Sequence, residues 1–182
     1  TVPDSYEEAE LALHKIMVEG LSGGPRVNIQ KRIDVDYELS AMVFVDVRKR
    51  KNVLHGDYKL MPFSMDHKRL YDDDHGPNTG GMGAVAPIPI SGSLRRKIVS
   101  DVIERTVEGF VREGIEFSGC LYPALIVDKQ GECFCIEYNA RPPDPETQAV
   151  LPVMKPELHP YLMATATGEL DNMPEITSHG CS

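Results

Sequence analysis

The segment Ile136–Gln148 constrains the fold more than any other part of the chain. It overlaps a short apolar-rich run, Cys133–Tyr138, that follows a glycine-containing turn signal and is therefore predicted to be a strand. Because alternate residues of a strand face the same side, Glu137, Asn139 and Arg141 project together if the strand continues that far. The segment thus predicts a polar sheet edge followed by a proline-rich loop.

The side chains of this edge suit phosphate chemistry. Glu137 and Asn139 place a carboxylate and an amide oxygen two residues apart, and Mg²⁺ prefers such oxygen ligands. Arg141 offers a planar fork for a phosphate or an acyl phosphate. Asp144 and Glu146 follow in a proline-braced loop near the strand end, where α/β proteins commonly bind ligands. A solvated loop with a structural arginine is the alternative, and for one such motif alone it would be the safer interpretation.

Length, charge and cysteine usage limit the possible classes of protein. The 182 residues can build one good core or two small subdomains. The net charge of −9 disfavours broad nucleic-acid binding, and because there is no long apolar run we expect no membrane segment. The four cysteines include Cys133 and Cys135 in a C-x-C pair but no C-x-x-C pair, which argues against a zinc or redox motif. We expect reduced cysteines in a cytosolic protein.

Hydrophobic periodicity predicts a mixture of helices and strands. The predicted helices cover residues 6–19, 93–113 and 157–168. Ser5 and Glu8 form a capping box at the first helix, and Gly114 ends the second. The predicted strands cover residues 27–33, 38–46, 117–127 and 132–138, with two short extended pieces in 53–62. Residues 21–25 are predicted to form a turn, and the basic run Arg48–Lys51 is predicted to be the solvated tip of a hairpin.

A second unusual stretch, Ser64–Ala84, lies between these elements. It begins with a compact charged group in which Lys68 or Arg69 could hold an anion and Asp66 a donor. It continues into Gly76–Gly83, a glycine-rich run predicted to be a loop whose backbone N–H groups could close on an anionic or polar ligand. The run matches neither the P-loop nor the dinucleotide-binding pattern. Alone, it would more often be a flexible surface turn.

Together, the stretches DHKRLYDDDHGPNTGGMGA and IEYNARPPDPETQ resemble the glycinamide ribonucleotide synthetase (phosphoribosylamine–glycine ligase) family. Two long motifs in the family order, separated by a helix and a hairpin, make the resemblance specific, and it extends from near Thr1 to about Leu170. It implies an α+β fold, namely a partial ATP-grasp fold with an antiparallel sheet and packed helices. Residues 1–170 would form the partial ATP-grasp domain, and residues 171–182 would begin the connection to a missing C-terminal domain.

The resemblance also implies a reaction. The family uses ATP and Mg²⁺, or Mn²⁺, to activate glycine as an acyl phosphate, which the amine of phosphoribosylamine then attacks. The products are ADP, phosphate and glycinamide ribonucleotide, in purine biosynthesis in the cytoplasm. The expected partners are these small molecules and the N- and C-terminal domains of the same enzyme, and not nucleic acid or membrane. The chain by itself is expected to be inactive.

The match to the family pattern implies a role for individual residues. Glu137 and Asn139 would bind the metal, and Arg141 and Asp144 would be catalytic, with Arg141 on the transferred phosphoryl group or the acyl phosphate. The implied substrate-binding residues are Asp66, Lys68, Asn78, Thr79, Gly80, Gly81, Met82, Pro145 and Glu146. The implied nucleotide-binding residues are Gln30, Lys31, Arg32, Ile33 and Glu38.

Several departures from the family pattern concern the nucleotide. Gln30–Ile33 stands where the family has two glutamates and two hydrophobic residues, and Asp36–Glu38 replaces Gly-Glu-Glu. Pro143 replaces a glycine, and proline fixes φ at about −65° and removes a donor. These changes keep open a divergent, catalytically silent ATP-grasp-like domain that binds a ligand or partner. A different ATP-grasp carboxylate–amine ligase is disfavoured, because the glycine-rich motif is peculiar to this family.

Overall fold

The computed structural model describes residues 2–3, 5–20, 26–73 and 75–181. The chain divides into two units at the junction that follows Asp34. Within the described residues, no helix is both long enough and apolar enough to cross a membrane.

The first unit contains helix α1, which spans Tyr6–Met17. The Ser5 side chain accepts a hydrogen bond from the Glu8 backbone N–H at 3.1 Å, so the predicted helix and its N-terminal cap are confirmed. The helix ends at Met17 rather than at residue 19, and its side chains are exposed or half-buried. The turn predicted at 21–25 lies outside the described residues.

The strand predicted at 27–33 is wrong. Residues 26–34, all of which the structure describes, adopt no regular secondary structure, and the Ile29 side chain is 79% exposed. Polar residues interrupt the apolar alternation of this segment, so it presents no continuous apolar face to bury. Strands are stabilised by side-chain packing against neighbouring strands, and the alternation alone could not supply such neighbours.

The second unit is built on a five-stranded antiparallel sheet. The strands of this sheet are β1 (Val35–Ser40), β2 (Val43–Arg50), β3 (Val53–Leu60), β6 (Phe117–Asp128) and β7 (Cys133–Asn139). Their order is β1-β6-β2-β3, and β7 pairs with β6. Two further pairs are β4 (Met65–Tyr71) with β5 (His75–Val85) and β8 (Met154–Lys155) with β9 (Thr177–Ser178). The helical elements are α2 (Gly92–Ile98), a π-helical segment (Val99–Glu104), α3 (Arg105–Glu113), α4 (Glu146–Val153) and α5 (Leu158–Thr167).

The two faces of the sheet bury separate apolar clusters. Alternation along β2 places Val43, Val45 and Val47 on one face, where they pack with residues of α2, the π-helical segment and α3. We call this face the α3 face. Phe44 lies on the opposite face, which we call the α4 face, with residues of α4 and α5, and its ring stacks on Tyr161 with centroids 6.0 Å apart. The predicted α+β fold with an antiparallel sheet and packed helices is confirmed.

The predicted helices of this unit are confirmed as well. The helix predicted at 93–113 spans α2, the π-helical segment and α3, and it ends at Gly114, whose φ of 74° is left-handed. Helix α5 ends in the same way at Gly168, with φ of 86°. The hairpin predicted between 117 and 138 is formed by β6 and β7, with Gly131 in the turn at φ of 80°.

The run predicted as one strand at 38–46 forms two strands. At the break, the Ser40 and Ser64 backbones exchange N–H···O bonds of 2.8 and 3.2 Å, and the Met42 carbonyl accepts from the Met61 N–H at 2.9 Å. The sequence conceals this break because the two intervening residues, Ala41 and Met42, are as apolar and buried as their neighbours. Conversely, the two pieces predicted in 53–62 form the single strand β3.

The basic run Arg48–Lys51 lies at the tip of the β2–β3 hairpin, as predicted, but it is only partly solvated. The Arg48 Nη2 atom donates to the Thr165 carbonyl at 2.6 Å, and the Arg50 Nη2 atom donates to the Gly168 carbonyl at 2.9 Å. Both guanidinium groups also contact the Asp46 carboxylate, which is fully buried. The last carbonyl groups of a helix need such external donors, and this requirement overrides the preference of arginine for water.

The glycine-rich run predicted as a loop is strand β5. It pairs with β4 in antiparallel register, with irregularities on both sides of Arg69. The Arg69 Nη1 atom donates to the Gly76 carbonyl at 2.7 Å, so this guanidinium, which was a candidate anion ligand, holds the hairpin together. A glycine-rich sequence weakens a strand but does not prevent pairing when a partner strand lies alongside.

Candidate functional site

A β-bulge in β7 sets the direction of the two predicted metal ligands. Leu125 of β6 pairs with Cys135, but the preceding residue of β6, Ala124, pairs with Glu137, so Ile136 is an extra residue. Because directly paired residues of antiparallel strands share a face, Glu137 shares the face of Ala124 rather than that of Cys135. The bulge therefore turns the end of β7 towards the α4 face.

Contacts on both faces agree with this direction. The Tyr138 hydroxyl lies 2.7 Å from Thr106 Oγ1 on α3, which is on the α3 face. Asn139 pairs with Tyr122, whose ring belongs to the apolar cluster of the α4 face. The Asn139 Nδ2 atom donates to Glu137 Oε1 at 3.0 Å, so these two side chains are adjacent. The prediction that both project to one side is confirmed.

Glu137 and Asn139, which we call the metal-ligand pair, fit a hard cation as an incomplete set of ligands. The Glu137 side chain is exposed, and the adjacent Asn139 side chain, whose amide nitrogen contacts it, carries an amide oxygen as the second possible ligand. Among the described residues, no group of three or more His, Cys, Asp and Glu side chains could hold a metal ion. An ion bound to this pair would therefore complete its coordination with water or phosphate oxygens, as Mg²⁺ usually does.

The cysteines of β7 are structural rather than reactive. Burial raises the pKa of the Cys133 thiol to about 11 and also raises the pKa of Cys135, so both thiols stay protonated at neutral pH. Both pack against the cluster of the α3 face, and the Cys135 thiol also donates to the Glu137 carbonyl at 3.5 Å. All four cysteines are free, as expected.

The two predicted catalytic residues lie beyond the end of the sheet. β7 ends at Asn139, so strand alternation does not reach Arg141, whose Nη1 atom donates to the Pro142 carbonyl at 3.2 Å in an exposed bend. The Asp144 side chain is also exposed, and its Oδ1 atom accepts from Gln148 Nε2 at 2.7 Å. Both side chains are therefore exposed to solvent. In sequence, both follow closely after the metal-ligand pair.

The two sequence motifs meet where β5 lies against the loop before α4. A Cβ atom added to Gly81 would lie 2.4 Å from Pro145 Cδ and 3.3 Å from the Asp144 carbonyl oxygen. Gly81 also has a φ of 125°, which other residues rarely adopt. Thr79 fixes this part of β5, because its Oγ1 atom donates to the Lys68 carbonyl at 2.8 Å and accepts from the Gly81 N–H at 3.1 Å. Residues from both motifs are thus in direct contact.

The Lys68 side chain lies among carboxylates. It donates a hydrogen bond to Glu38, which was expected to contact the nucleotide. Burial alone would lower the pKa of Lys68, but the hydrogen bond to Glu38 and the charges of Glu38, Asp66 and Glu146 outweigh that effect and raise the pKa. Burial and the charges of Glu146 and Glu38 raise the pKa of Asp66, against the opposing effect of Lys68. We call these four residues, Glu38, Asp66, Lys68 and Glu146, the site cluster.

Glu146 was expected in a loop, but it is the first residue of helix α4. Its side chain is only 3% exposed, and its Oε1 atom accepts hydrogen bonds from Ser40 Oγ at 2.9 Å and from the Tyr122 hydroxyl at 3.1 Å. The helix was not predicted because it is short, begins after Pro145 and contains Pro152. The carboxylate therefore faces the protein interior rather than open solvent.

The remaining predicted residues are more exposed. Asn78, Gly80 and Met82 lie on β5, and Met82 is 53% exposed. In the first unit, the side chains of Gln30, Lys31 and Arg32 are exposed and that of Ile33 is half-buried.

Sequence reasoning missed two residues of this site, Ser40 and Tyr122. They lie on β1 and β6, they are 2% and 7% exposed, and their hydroxyl groups are 3.0 Å apart. Neither residue belongs to a recognisable motif, and a hydroxyl in an apolar strand carries no signal of its own. Only the three-dimensional contact with Glu146 identifies them.

The chain is similar in sequence to a known family and to proteins of several organisms. Over residues 1–147 the chain matches the family described as phosphoribosylglycinamide synthetase, ATP-grasp (A) domain. Phosphoribosylamine–glycine ligase of Escherichia coli O157:H7 is 40% identical over 171 residues, which are 92% of this chain and 38% of that protein. The trifunctional purine biosynthetic protein adenosine-3 of Homo sapiens is 40% identical over 172 residues, 93% of this chain and 16% of that protein. The chain thus spans less than half the length of these relatives.

Solved structures show the same fold. The crystal structure of phosphoribosylamine–glycine ligase from Thermotoga maritima superposes with a TM-score of 0.79 at 29% identity, covering 100% of this chain and 44% of that one. The biotin carboxylase domain of a thermophilic 2-oxoglutarate carboxylase superposes with a TM-score of 0.61 at 14% identity, covering 96% of this chain and 35% of that one, which shows a shared fold alone.

Proposed function

Because this chain belongs to the phosphoribosylglycinamide synthetase ATP-grasp (A) domain family, we propose that it supplies part of the active site of a phosphoribosylamine–glycine ligase. The complete reaction would join glycine to 5-phosphoribosylamine with ATP and Mg²⁺ or Mn²⁺, giving glycinamide ribonucleotide in the cytoplasm. The chain spans 38% of the E. coli relative, so the rest of the active site would come from other segments of such a protein.

One observation carries the proposal. The two motifs are more than fifty residues apart in sequence, yet Gly81 of the first lies against Pro145 of the second. Lys68 and Asp66 of the first motif also interact electrostatically with Glu146 of the second. A ligase that joins two small molecules must hold both reactants in one place, and this contact brings the residues of both motifs together.

The metal-ligand pair would hold the phosphate end of the nucleotide. Glu137 and Asn139 would bind Mg²⁺, which when present neutralises charge on the ATP phosphates. Arg141 would bind the transferred phosphoryl group or the acyl phosphate, since its guanidinium is exposed and planar. Gln30, Lys31, Arg32, Ile33 and Glu38 would contribute to the nucleotide site.

The site cluster and β5 would hold glycine and phosphoribosylamine. Asp66 and Glu146 supply negative charge near Lys68, which suits a substrate that carries both an ammonium group and a carboxylate. Asn78, Thr79, Gly80, Gly81 and Met82, with Asp144 and Pro145, would orient the two reactants. Because the attacking amine is already a nucleophile, positioning would supply most of the rate enhancement.

A catalytically silent ATP-grasp-like domain is the second candidate. The observation that favours it is the hydrogen bond between Glu38 and Lys68, because a nucleotide would have to compete with Lys68 for the Glu38 carboxylate. Such a domain would still bind a ligand or partner, but it would not catalyse ligation.

The test is calorimetric titration of the full natural polypeptide that carries this segment, with ADP as the ligand and Mg²⁺ present. We expect metal-dependent binding that Glu137→Ala weakens by at least about tenfold, because a carboxylate ligand of the ion is lost. Glu132→Ala is the matched control, since Glu132 is an exposed carboxylate just before β7 that pairs with Lys97 instead.

Ligase activity separates the two candidates. The assay is made on the full natural polypeptide that carries this segment, with glycine and phosphoribosylamine as substrates. Binding of ADP without ligation would favour the silent domain. If that polypeptide neither binds ADP nor ligates, the ligase candidate is wrong, and so is a silent domain that binds this nucleotide.

A further inference from the structure

We infer that Tyr122 and Ser40 are positioning residues, which hold the buried Glu146 carboxylate and thereby fix the Gly81–Pro145 contact at which the two motifs meet. Neither residue belongs to the motifs that carry the proposed function. Both act on the site through Glu146, and the inference assigns them no contact with a substrate.

Two hydroxyl groups converge on one carboxylate oxygen inside the protein. Ser40 Oγ and the Tyr122 hydroxyl both donate to Glu146 Oε1, at 2.9 and 3.1 Å, and the two hydroxyl oxygens are 3.0 Å apart. Glu146 is 3% exposed, so water cannot replace these donors easily. Hydrogen bonds to a buried charge are among the strongest in proteins, and leaving the charge without a donor is costly.

These bonds fix the start of helix α4. The N-cap residue of this helix is Pro145, and no side chain caps it. The first helical residue is Glu146, so its side chain is the attachment of this end to β1 and β6. If Glu146 shifts, Pro145 shifts with it, and the Pro145 ring is the group that leaves no room for a Cβ atom at Gly81.

The same bonds connect the two halves of the site. Tyr122 pairs directly with Asn139 across β6 and β7, so it lies on the α4 face beside the metal-ligand pair. Through Glu146 it also determines where a negative charge lies relative to Lys68 and Asp66. Burial and the nearby Glu146 charge raise the pKa of Tyr122, which keeps its hydroxyl protonated as a donor.

Hydrogen exchange tests the inference without any assumption about function. In the full chain, Tyr122→Phe removes one donor and should speed amide exchange about tenfold in the first turn of α4 and around Gly81, since one hydrogen bond to a charge is lost. The Gly81 N–H is a direct reporter, because it donates to Thr79 Oγ1. Ser40→Ala should have the same effect in the same two segments.

Two matched controls separate positioning from general destabilisation. Tyr161 is fully buried on the same face, and its hydroxyl donates to the Pro174 carbonyl at 3.0 Å, so Tyr161→Phe also deletes one hydrogen bond of a buried tyrosine. Ser64 is fully buried and pairs with Ser40 through the backbone, but its hydroxyl has no partner among the described residues. Neither Tyr161→Phe nor Ser64→Ala should change exchange at α4 or Gly81. Equal exchange in Tyr122→Phe and Tyr161→Phe would overturn the inference.

A kinetic measurement then relates the positioning to the proposed function, on which this second part rests. In the full ligase polypeptide, Tyr122→Phe should raise the KM for glycine about tenfold while the affinity for ADP with Mg²⁺ stays within about twofold. A purely structural role would weaken the binding of both glycine and ADP, or of neither. If the wild-type polypeptide shows no ligation, the proposed function fails, and the exchange experiment still decides whether Tyr122 and Ser40 position α4.

Discussion

Two groups of charged residues in the second unit have similar compositions but opposite organisation. The first is the set Asp46, Arg48, Arg50, Asp57 and Asp171, which lies at the end of α5 and which we call the α5 cluster. The second is the site cluster. Both combine acidic and basic side chains from distant parts of the chain, with three acidic and two basic residues in the α5 cluster and three acidic and one basic residue in the site cluster.

In the α5 cluster, the basic groups are bound on several sides. Arg50 contacts Asp57 and Asp171 at 3.0 Å, and Arg48 and Arg50 both donate to carbonyl groups near the end of α5. The guanidinium donors are therefore used in joining β2 to α5. A cluster of this kind can stabilise the fold, but it leaves little capacity for a ligand.

In the site cluster, the ammonium group of Lys68 donates to Glu38 and also interacts electrostatically with the carboxylates of Asp66 and Glu146. The Lys68 charge cannot balance the charges of Glu38, Asp66 and Glu146 together, and two of these carboxylates are partly or wholly removed from water. A protein whose only requirement was stability would gain by removing such an excess of like charge. In the function that we propose, the group with the unbalanced charge would therefore bind the ligand, and the group with the satisfied charges would not.

The largest expected loss of stability follows from a substitution in the α5 cluster. Arg48→Ala leaves the fully buried Asp46 carboxylate without its hydrogen-bonding partner, so we expect the free energy of unfolding to fall by about 3 kcal/mol. Urea denaturation measures the loss. Affinity for ADP with Mg²⁺ should not change under conditions where the variant remains folded.

The neighbouring residue Lys49 is the matched control. Its ammonium group lies 3.6 Å from Glu116, and both side chains are more than half exposed. Lys49→Ala should therefore change the free energy of unfolding by less than about 0.5 kcal/mol. Equal losses in the two variants would show that the whole basic run is solvated, as the sequence alone suggested.

The second largest loss of stability is expected from a substitution at the Gly81–Pro145 contact. Gly81→Ala adds a Cβ atom 2.4 Å from Pro145 Cδ at a φ of 125°, so we expect a loss of about 2 kcal/mol together with displacement of the first turn of α4. Urea denaturation measures the stability, and titration with ADP and glycine measures how far the displacement disturbs binding. Unlike Arg48→Ala, this variant should lose binding even where it is fully folded.

Gly83 provides the control on the same strand. A Cβ atom there would meet nothing within 4 Å. Gly83→Ala should therefore cost less than about 1 kcal/mol and leave the start of α4 in place. If Gly83→Ala disturbed binding as much as Gly81→Ala, strand flexibility rather than the Pro145 contact would be the cause.

The sequence predicted those parts of the fold that depend on local patterns. The helices at 93–113 and 157–168 have apolar periodicity and terminal glycines, and the β6–β7 hairpin has a clear turn, so all three were predicted correctly. The break between β1 and β2 could not be predicted, because buried Ala41 and Met42 continue the apolar run without interruption. Helix α4 was missed because its prolines are typical of loops.

Within the candidate site, the motif residues could be identified from the sequence, but the residues that they contact could not. Glu137 and Asn139 were expected to share a side, and they do, yet the bulge at Ile136 decides which face they reach. A bulge depends on the pairing of two strands and leaves no mark in either strand alone. The contacts of Glu146 with Ser40 and Tyr122 likewise depend on residues far apart in the chain.

The smallest expected change of stability concerns the excess negative charge of the site cluster. Burial, with the charges of Glu146 and Glu38, raises the pKa of Asp66 despite Lys68, so the folded protein holds this proton more tightly than the unfolded chain does. Ionised Asp66 therefore costs stability above its raised pKa. Asp66→Asn should be more stable than wild type at pH 7 by less than about 1 kcal/mol, and the gain should disappear as the pH falls below the ordinary value of 3.8. Urea denaturation across this pH range measures the difference. A variant less stable than wild type at pH 7 would mean that Lys68 outweighs the burial, and that the site cluster is as well balanced as the α5 cluster.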